Sequence, residues 1–148
     1  MSTELFKDKY LNFAKINMQK LWHSAYWDGP INGLCLVNGE KCWFDLVESW
    51  DDKNSYPEDD EDFEAPWYRR FLIWKLLPEE LVEVERRHAK FVRMVGNHCD
   101  YVDGKREYFK YTDLITKETV EKYYEEAKYE KPLSLYPSED RIIGWSEI

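Results

Sequence analysis

The chain has 148 residues and no apolar run near the ~20 residues that a bilayer-spanning helix needs, so no membrane span is expected. Cysteine is scarce. Cys35, Cys42 and Cys99 are an odd set without a CxxC pair, which excludes a disulfide framework and leaves reduced thiols as the expected state. Six glycines supply no GxGxxG, no P-loop and no GxSxG, so phosphate cradles and a nucleophile elbow are not expected, and no motif calls for a cofactor or a metal. Cationic residues are outnumbered, with 21 Lys and Arg against 30 Asp and Glu for a net charge of −9. That balance argues against direct contact with nucleic acid or an anionic membrane and favours a basic protein or cationic ligand as partner. The first twenty residues mix both signs of charge and lack the apolar core of a secretory leader, so a cytoplasmic protein is expected.

Aromatic residues are what the chain has in excess, at 17% with seven Trp and eleven Tyr, and they serve both as core and as contact surface. At this length a single domain over residues 1–148 is expected, able to bury roughly 68–70% of its unfolded surface.

The coarse pattern predicts an α+β fold: a small antiparallel sheet with about three helices. Phe6, Tyr10, Phe13, Ala14 and Leu21 repeat at helical spacing and predict a helix over 4–22. Gly29-Pro30 breaks it. Asn38-Gly39 then marks a tight hairpin over about 31–48, pairing Val37 with Glu40, Cys35 with Cys42, Gly33 with Phe44 and Ile31 with Leu46. One hairpin face is core; the other, with Leu34, Leu36, Trp43 and Val47 beside Lys41 and Asp45, is too apolar to stand in water. A one-residue bulge would exchange the two. A second strand is expected over about 68–77. A helix over 78–95 follows, opened by Pro78, Glu79 and Glu80 and carrying an inner stripe of Leu81, Val84, His88, Phe91, Val92 and Val95. A third helix is expected over 117–129, and Ile142, Ile143 and Trp145 suit an edge strand or a docked tail. The hairpin is expected at the centre of the sheet.

The chain concentrates its charge in an acidic loop over 48–66. Glu48 to Glu64 holds nine carboxylates against Lys53 alone and so carries −8 of the net −9. The simplest reading is a solvated loop, since Glu58, Asp59, Asp60, Glu61 and Asp62 repel one another. The functional reading is a docking surface of Trp50, Asp51, Asp52, Tyr56, Glu58 to Asp62, Trp67 and Tyr68, in which the rings receive Arg or Lys by cation–π contact. A calcium loop is disfavoured, because the D-x-[DN]-x-[DN]-G spacing is absent.

Two smaller clusters carry less. Glu85-x-x-His88 is half of a di-iron signature without its second copy, so His88 reads as a core histidine. Asn97-His98-Cys99-Asp100 places a thiol beside an imidazole, but neighbours in an extended segment point to opposite faces, and a polar turn explains it. The sequence therefore favours an interaction module, with an inhibitor or immunity-type protein as the concrete form. The rival reading is an enzyme or small-molecule binder with a pocket beside the outer hairpin face, walled by Tyr26, Trp43 and Trp74.

Overall fold

In the computed structural model the described residues are 3–26, 30–51, 67–96, 100–102, 105–107, 111–133 and 135–147. In chain order the elements are two short 3₁₀ turns (Glu4–Phe6 and Tyr10–Asn12), β1 (Gln19–Tyr26), β2 (Pro30–Val37), β3 (Glu40–Asp51), β4 (Trp67–Lys75), α1 (Pro78–Met94), β5 (Asp100–Val102), β6 (Lys105–Glu107), α2 (Lys117–Ala127) and β7 (Ile142–Glu147). This is the expected α+β class with a small antiparallel sheet. The chain falls into two compact units, Met1–Leu76 with Leu135–Ile148, and Leu77–Ser134.

The first unit is an antiparallel sheet of order β1-β2-β3-β4-β7. Its hairpin turns where expected: Asn38 and Gly39 both take positive φ, 51° and 82°, the backbone that a two-residue turn between twisted strands requires. The register follows, with Val37 opposite Glu40, Cys35 opposite Cys42 and Gly33 opposite Phe44. The hairpin lies inside the sheet, with β1 on one flank and β4 then β7 on the other. Cys35, Val37, Cys42, Phe44, Phe71 and Ile73 form the buried cluster on one face, joined by Ile16, Met18, Leu46 and Ile143. Phe44 and Phe71 meet edge to face at 5.2 Å. On the opposite face Leu34, Trp43, Leu72 and Trp74 are buried too, with Trp22 set edge-on against Trp43.

The helix expected over 4–22 does not form. Its first apolar pair, Phe6 and Tyr10, is buried through the two 3₁₀ turns, and residues 14–16 then run along the edge of β7, where Ile16 N–H donates to Trp145 O and Trp145 N–H to Ala14 O. Gln19 onward pairs with β2 as β1. A sheet edge that offers a ladder of backbone hydrogen bonds outweighs a helical pattern of a few rings, because propensity is a weak local preference. Gly33 makes the approach possible: a Cβ there would sit 2.1 Å from Trp22 O and 2.7 Å from His23 Cα. β1 is irregular, with register shifts at Lys20/Trp22, His23/Ala25 and Ala25/Tyr26, which suits an outermost strand.

Two boundaries also move. β3 continues to Asp51, so Glu48, Ser49, Trp50 and Asp51 belong to a strand rather than to the loop expected over 48–66. The strand expected over 68–77 ends at Lys75, and Leu77 becomes the N-cap of α1, its N–H donating to Glu80 Oε1 at 2.8 Å. The tail forms the outer strand β7, as expected.

The second unit holds α1, α2 and the β5-β6 ladder. Val84 and Val95 are buried on the α1 stripe, while Leu81, His88 and Phe91 are half-buried. Val92, expected in that stripe, is exposed. Phe91 meets Tyr123 of α2 edge-on at 5.5 Å. Thr119 Oγ1 donates to Met94 O at 2.9 Å, tying the end of α1 to the start of α2. Along α1 Glu83 takes Arg86 and Arg87, while across to the other helix Glu126 takes Lys90 at 2.7 Å and Glu130, just beyond α2, adds to all three cations. α2 ends at Ala127, two residues short of the expected 129.

Cys35 and Cys42 are free, buried thiols, and burial pushes Cys35 up to about 12 and Cys42 upward as well. Neither is then a thiolate at neutral pH. In a Cys99→Ser variant, an aromatic disulfide reagent should titrate no thiol until denaturant is added. Prompt release of two equivalents from the native protein would contradict the buried pairing.

Candidate functional site

The residues with most chemistry on the sheet are brought together by one irregularity. On β3, Leu46 opposes Phe71 but Glu48 opposes Arg70, so two steps on β3 span one on β4. Val47 is the extra residue of a bulge, which moves the following side chains to the other face. Glu48 and Trp50 therefore lie on the face of Trp43 and Asp45, beside Arg70 and Tyr68. The pairing of β4 with β7 extends the row, since Arg70 opposes Glu147. Three adjacent strands thus present Glu48, Arg70 and Glu147 side by side, negative, positive, negative.

Arg70 is the hub of this row. Its Nε donates to Glu147 Oε1 at 3.1 Å, its Nη1 to the Tyr10 hydroxyl at 2.9 Å, and Glu48 Oε2 stands 4.0 Å from Nη1. The Tyr10 hydroxyl in turn donates to Glu48 Oε2. The guanidinium lies 4.7 Å from the ring centre of Trp50 and 4.9 Å from that of Trp145, with Tyr10 at 6.0 Å. Trp50 stacks on Tyr68 at 5.5 Å and 22°. Trp145 meets Tyr10 edge-on at 5.7 Å and is anchored by its indole N–H to Phe13 O at 3.1 Å. Burial, then the bond to Glu48, raises the Tyr10 pKa, while the Tyr10 and Glu147 bonds raise that of Arg70. Both shifts favour the forms these groups already hold at neutral pH, and the ring faces and carboxylates of the cluster hold the Arg70 cation. Among the described residues the cluster has no nucleophile poised beside a base.

Of the residues expected to form the acidic and aromatic surface, Trp50 and Tyr68 are brought together, and Asp51 and Trp67 are paired by their backbones at the ends of β3 and β4. Asp52, Tyr56, Glu58, Asp59, Asp60, Glu61 and Asp62 lie outside the described residues, in the segment that joins those two strand ends. Tyr10, Arg70, Trp145 and Glu147 were not anticipated. No local spacing signals them, because four separate chain segments supply the cluster.

Two of the three walls expected for the rival pocket are not open. Trp43 and Trp74 are 4% and 0% exposed, packed members of the sheet rather than open walls, and the Tyr26 side chain is outside the described residues. A cavity of about 370 Å³ instead lies at the bulge, lined by Thr3, Glu4, Lys7, Leu46, Val47, Glu48 and Ser49. His98 and Cys99 are outside the described residues as well, and Asp100 opens β5. No described helix is long and apolar enough to cross a membrane. Comparison with models of known protein families, with curated proteins and with solved structures returned no match.

Two outcomes follow. Replacing Arg70 with Met, which keeps an apolar stem, should cost about 1–2 kcal/mol in denaturant unfolding, since charge-assisted bonds are lost and Glu48 and Glu147 keep their like charges nearby. Arg70→Lys should recover only part of it, for an ammonium cannot stack flat on two indoles. A loss below 0.3 kcal/mol for Arg70→Met would make the row decorative. Separately, burial lowers the His88 pKa below its usual value. Protonation then favours the unfolded chain: the contribution is full above the unfolded pKa near 6.5 and is lost as pH falls through the folded pKa. Between pH 7 and 5 the wild type should lose more stability than His88→Gln, and equal slopes would refute it.

Proposed function

We propose that this protein is a small acidic cytoplasmic interaction module, of the inhibitor or immunity type, that engages a basic partner through the acidic and aromatic end of its sheet. The observation that carries the reading is the Arg70 cluster: Trp50 and Trp145 face a guanidinium between Glu48 and Glu147, so this end of the sheet already has rings and carboxylates set at cation-binding distances. Trp50 and Tyr68 stack beside it, at the strand ends from which the acidic segment departs. That segment and Glu48 hold most of the net −9, a potential that steers cations toward the stacked rings. Arg70 is the internal occupant, and the partner's cations meet the outer Trp50–Tyr68 surface and the acids beyond. The enzyme reading has less support, since Trp43 and Trp74 are packed away.

A deca-arginine peptide titrated into the full chain tests this. Binding should be 1:1, salt-dependent and stronger than for deca-lysine, because guanidinium stacks on aromatic rings. Neutralising Glu58 to Asp62 as Gln and Asn should leave thermal stability unchanged or slightly raised while binding weakens and loses its salt dependence. Stability and binding separate in that outcome. Unchanged affinity of the neutralised chain at both low and high salt would refute the acidic docking surface.

A further inference from the structure

The second unit carries a concave site that the docking surface does not use. The C-terminal half of α1, the 112–115 segment and α2 line a cavity of about 790 Å³, within the range of sites that take small ligands. Val92, Met94, Leu114 and Ile115 supply an apolar lining, and Leu114 and Val92 are 82% and 45% exposed, surface that a soluble domain gains by covering. The segment is shaped for the purpose by Thr112, whose N–H donates to Ile115 O and whose Oγ1 accepts from Leu114 N–H and Ile115 N–H.

The charge of the lining runs against that of the chain. Lys90, Arg93 and Lys122 face a single lining carboxylate, Glu126, in a protein of net −9. Glu126 is already committed, at 2.7 Å from Lys90 and 4.0 Å from Lys122, and Glu130 approaches Lys90 at 3.7 Å. Those contacts pair Lys90, whereas Lys122 is largely exposed and stands only at the 4.0 Å limit of an ion pair. Arg93 makes no ion pair among the described residues, so Arg93 and Lys122 are the lining cations left for an anionic head to meet. A planar guanidinium suits a carboxylate, which accepts two parallel N–H bonds.

We propose that this groove binds a small amphiphile with one carboxylate head and an apolar tail, with the head at Arg93 and Lys122 and the tail along Val92, Met94, Leu114 and Ile115. The site lies within residues 77–134 and is independent of the proposed docking surface.

Sodium dodecanoate below its micellar concentration is the probe, titrated calorimetrically into the full chain. One equivalent should bind with a micromolar Kd, while acetate, which has the head alone, and dodecyltrimethylammonium, which has the tail with the opposite charge, should not bind measurably. Arg93→Gln and Leu114→Asp should each weaken binding at least tenfold. Lys117→Gln, outside the lining residues, should leave it unchanged. Circular dichroism and the melting temperature of each variant establish that it is folded. Equal binding of the cationic amphiphile, several equivalents of dodecanoate, or full affinity in both lining variants would overturn the proposal. So would the absence of dodecanoate binding, and 1:1 binding of an acidic amphipathic peptide in its place would make the groove a peptide site.

Discussion

In the sheet, one phase relation governs both the core and the charged surface. Once Asn38 and Gly39 take positive φ, each residue of β2 has a fixed opposite on β3, and side chains alternate between faces because the strand period is two. Cys35, Cys42 and Phe44 are carried into the buried cluster by that alternation. It cannot continue unchanged, because Glu48 and Trp50 would then fall on the same face as Phe71 and Ile73. The bulge at Val47 shifts the phase by one residue. Apolar side chains before it face the cluster, and the acid and ring after it join Arg70 and Tyr68.

Arg70 then does for the unit what a lysine could not. A guanidinium donates in its plane and stacks through its faces, so one side chain reaches Glu147 and Tyr10 by hydrogen bonds while lying against Trp50 and Trp145. Those contacts link the N-terminal turns, β3, β4 and β7. The N-terminal segment starts on this face at Tyr10, crosses the β7 edge at residues 14–16 and ends on the other face, where Ile16 and Met18 pack on the buried cluster. The same stretch of chain therefore packs on both faces of the sheet, at the Arg70 cluster on one and at the buried cluster on the other.

The parts of this fold that were legible in the sequence are those with a local cause. Asn38-Gly39 dictates its own turn and hence the pairing on either side, and Pro78, Glu79 and Glu80 open α1 where a helix start needs a missing N–H and negative charge. Residues 4–22 misled because Phe6, Tyr10 and Phe13 have helical spacing, whereas their positions are decided by a distant partner, β7, and by the free edge of β2. The acidic segment was visible as composition and Trp50 and Tyr68 as its aromatic flank. The Arg70 cluster was not. Its members come from positions 10, 48, 50, 70, 145 and 147, and the bulge that aligns them carries no glycine or proline to announce it.

The order β1-β2-β3-β4-β7 also places the second unit as an insertion, since residues 77–134 separate β4 from the strand that pairs with it. During synthesis β4 emerges with one edge matched by β3 and the other bare, and the 66 residues 76–141 must follow before β7 can cover it. At roughly 5–20 residues per second that interval is several seconds, long against the ~1–10 μs in which a hairpin closes. The strand left waiting, Trp67–Lys75, is among the most apolar in the chain, and an uncovered strand edge is a template for the wrong partner. Trp145 both extends the ladder and holds Ala14 and Ile16 through its backbone, so the first and last segments of the unit are tied to each other by the same residue.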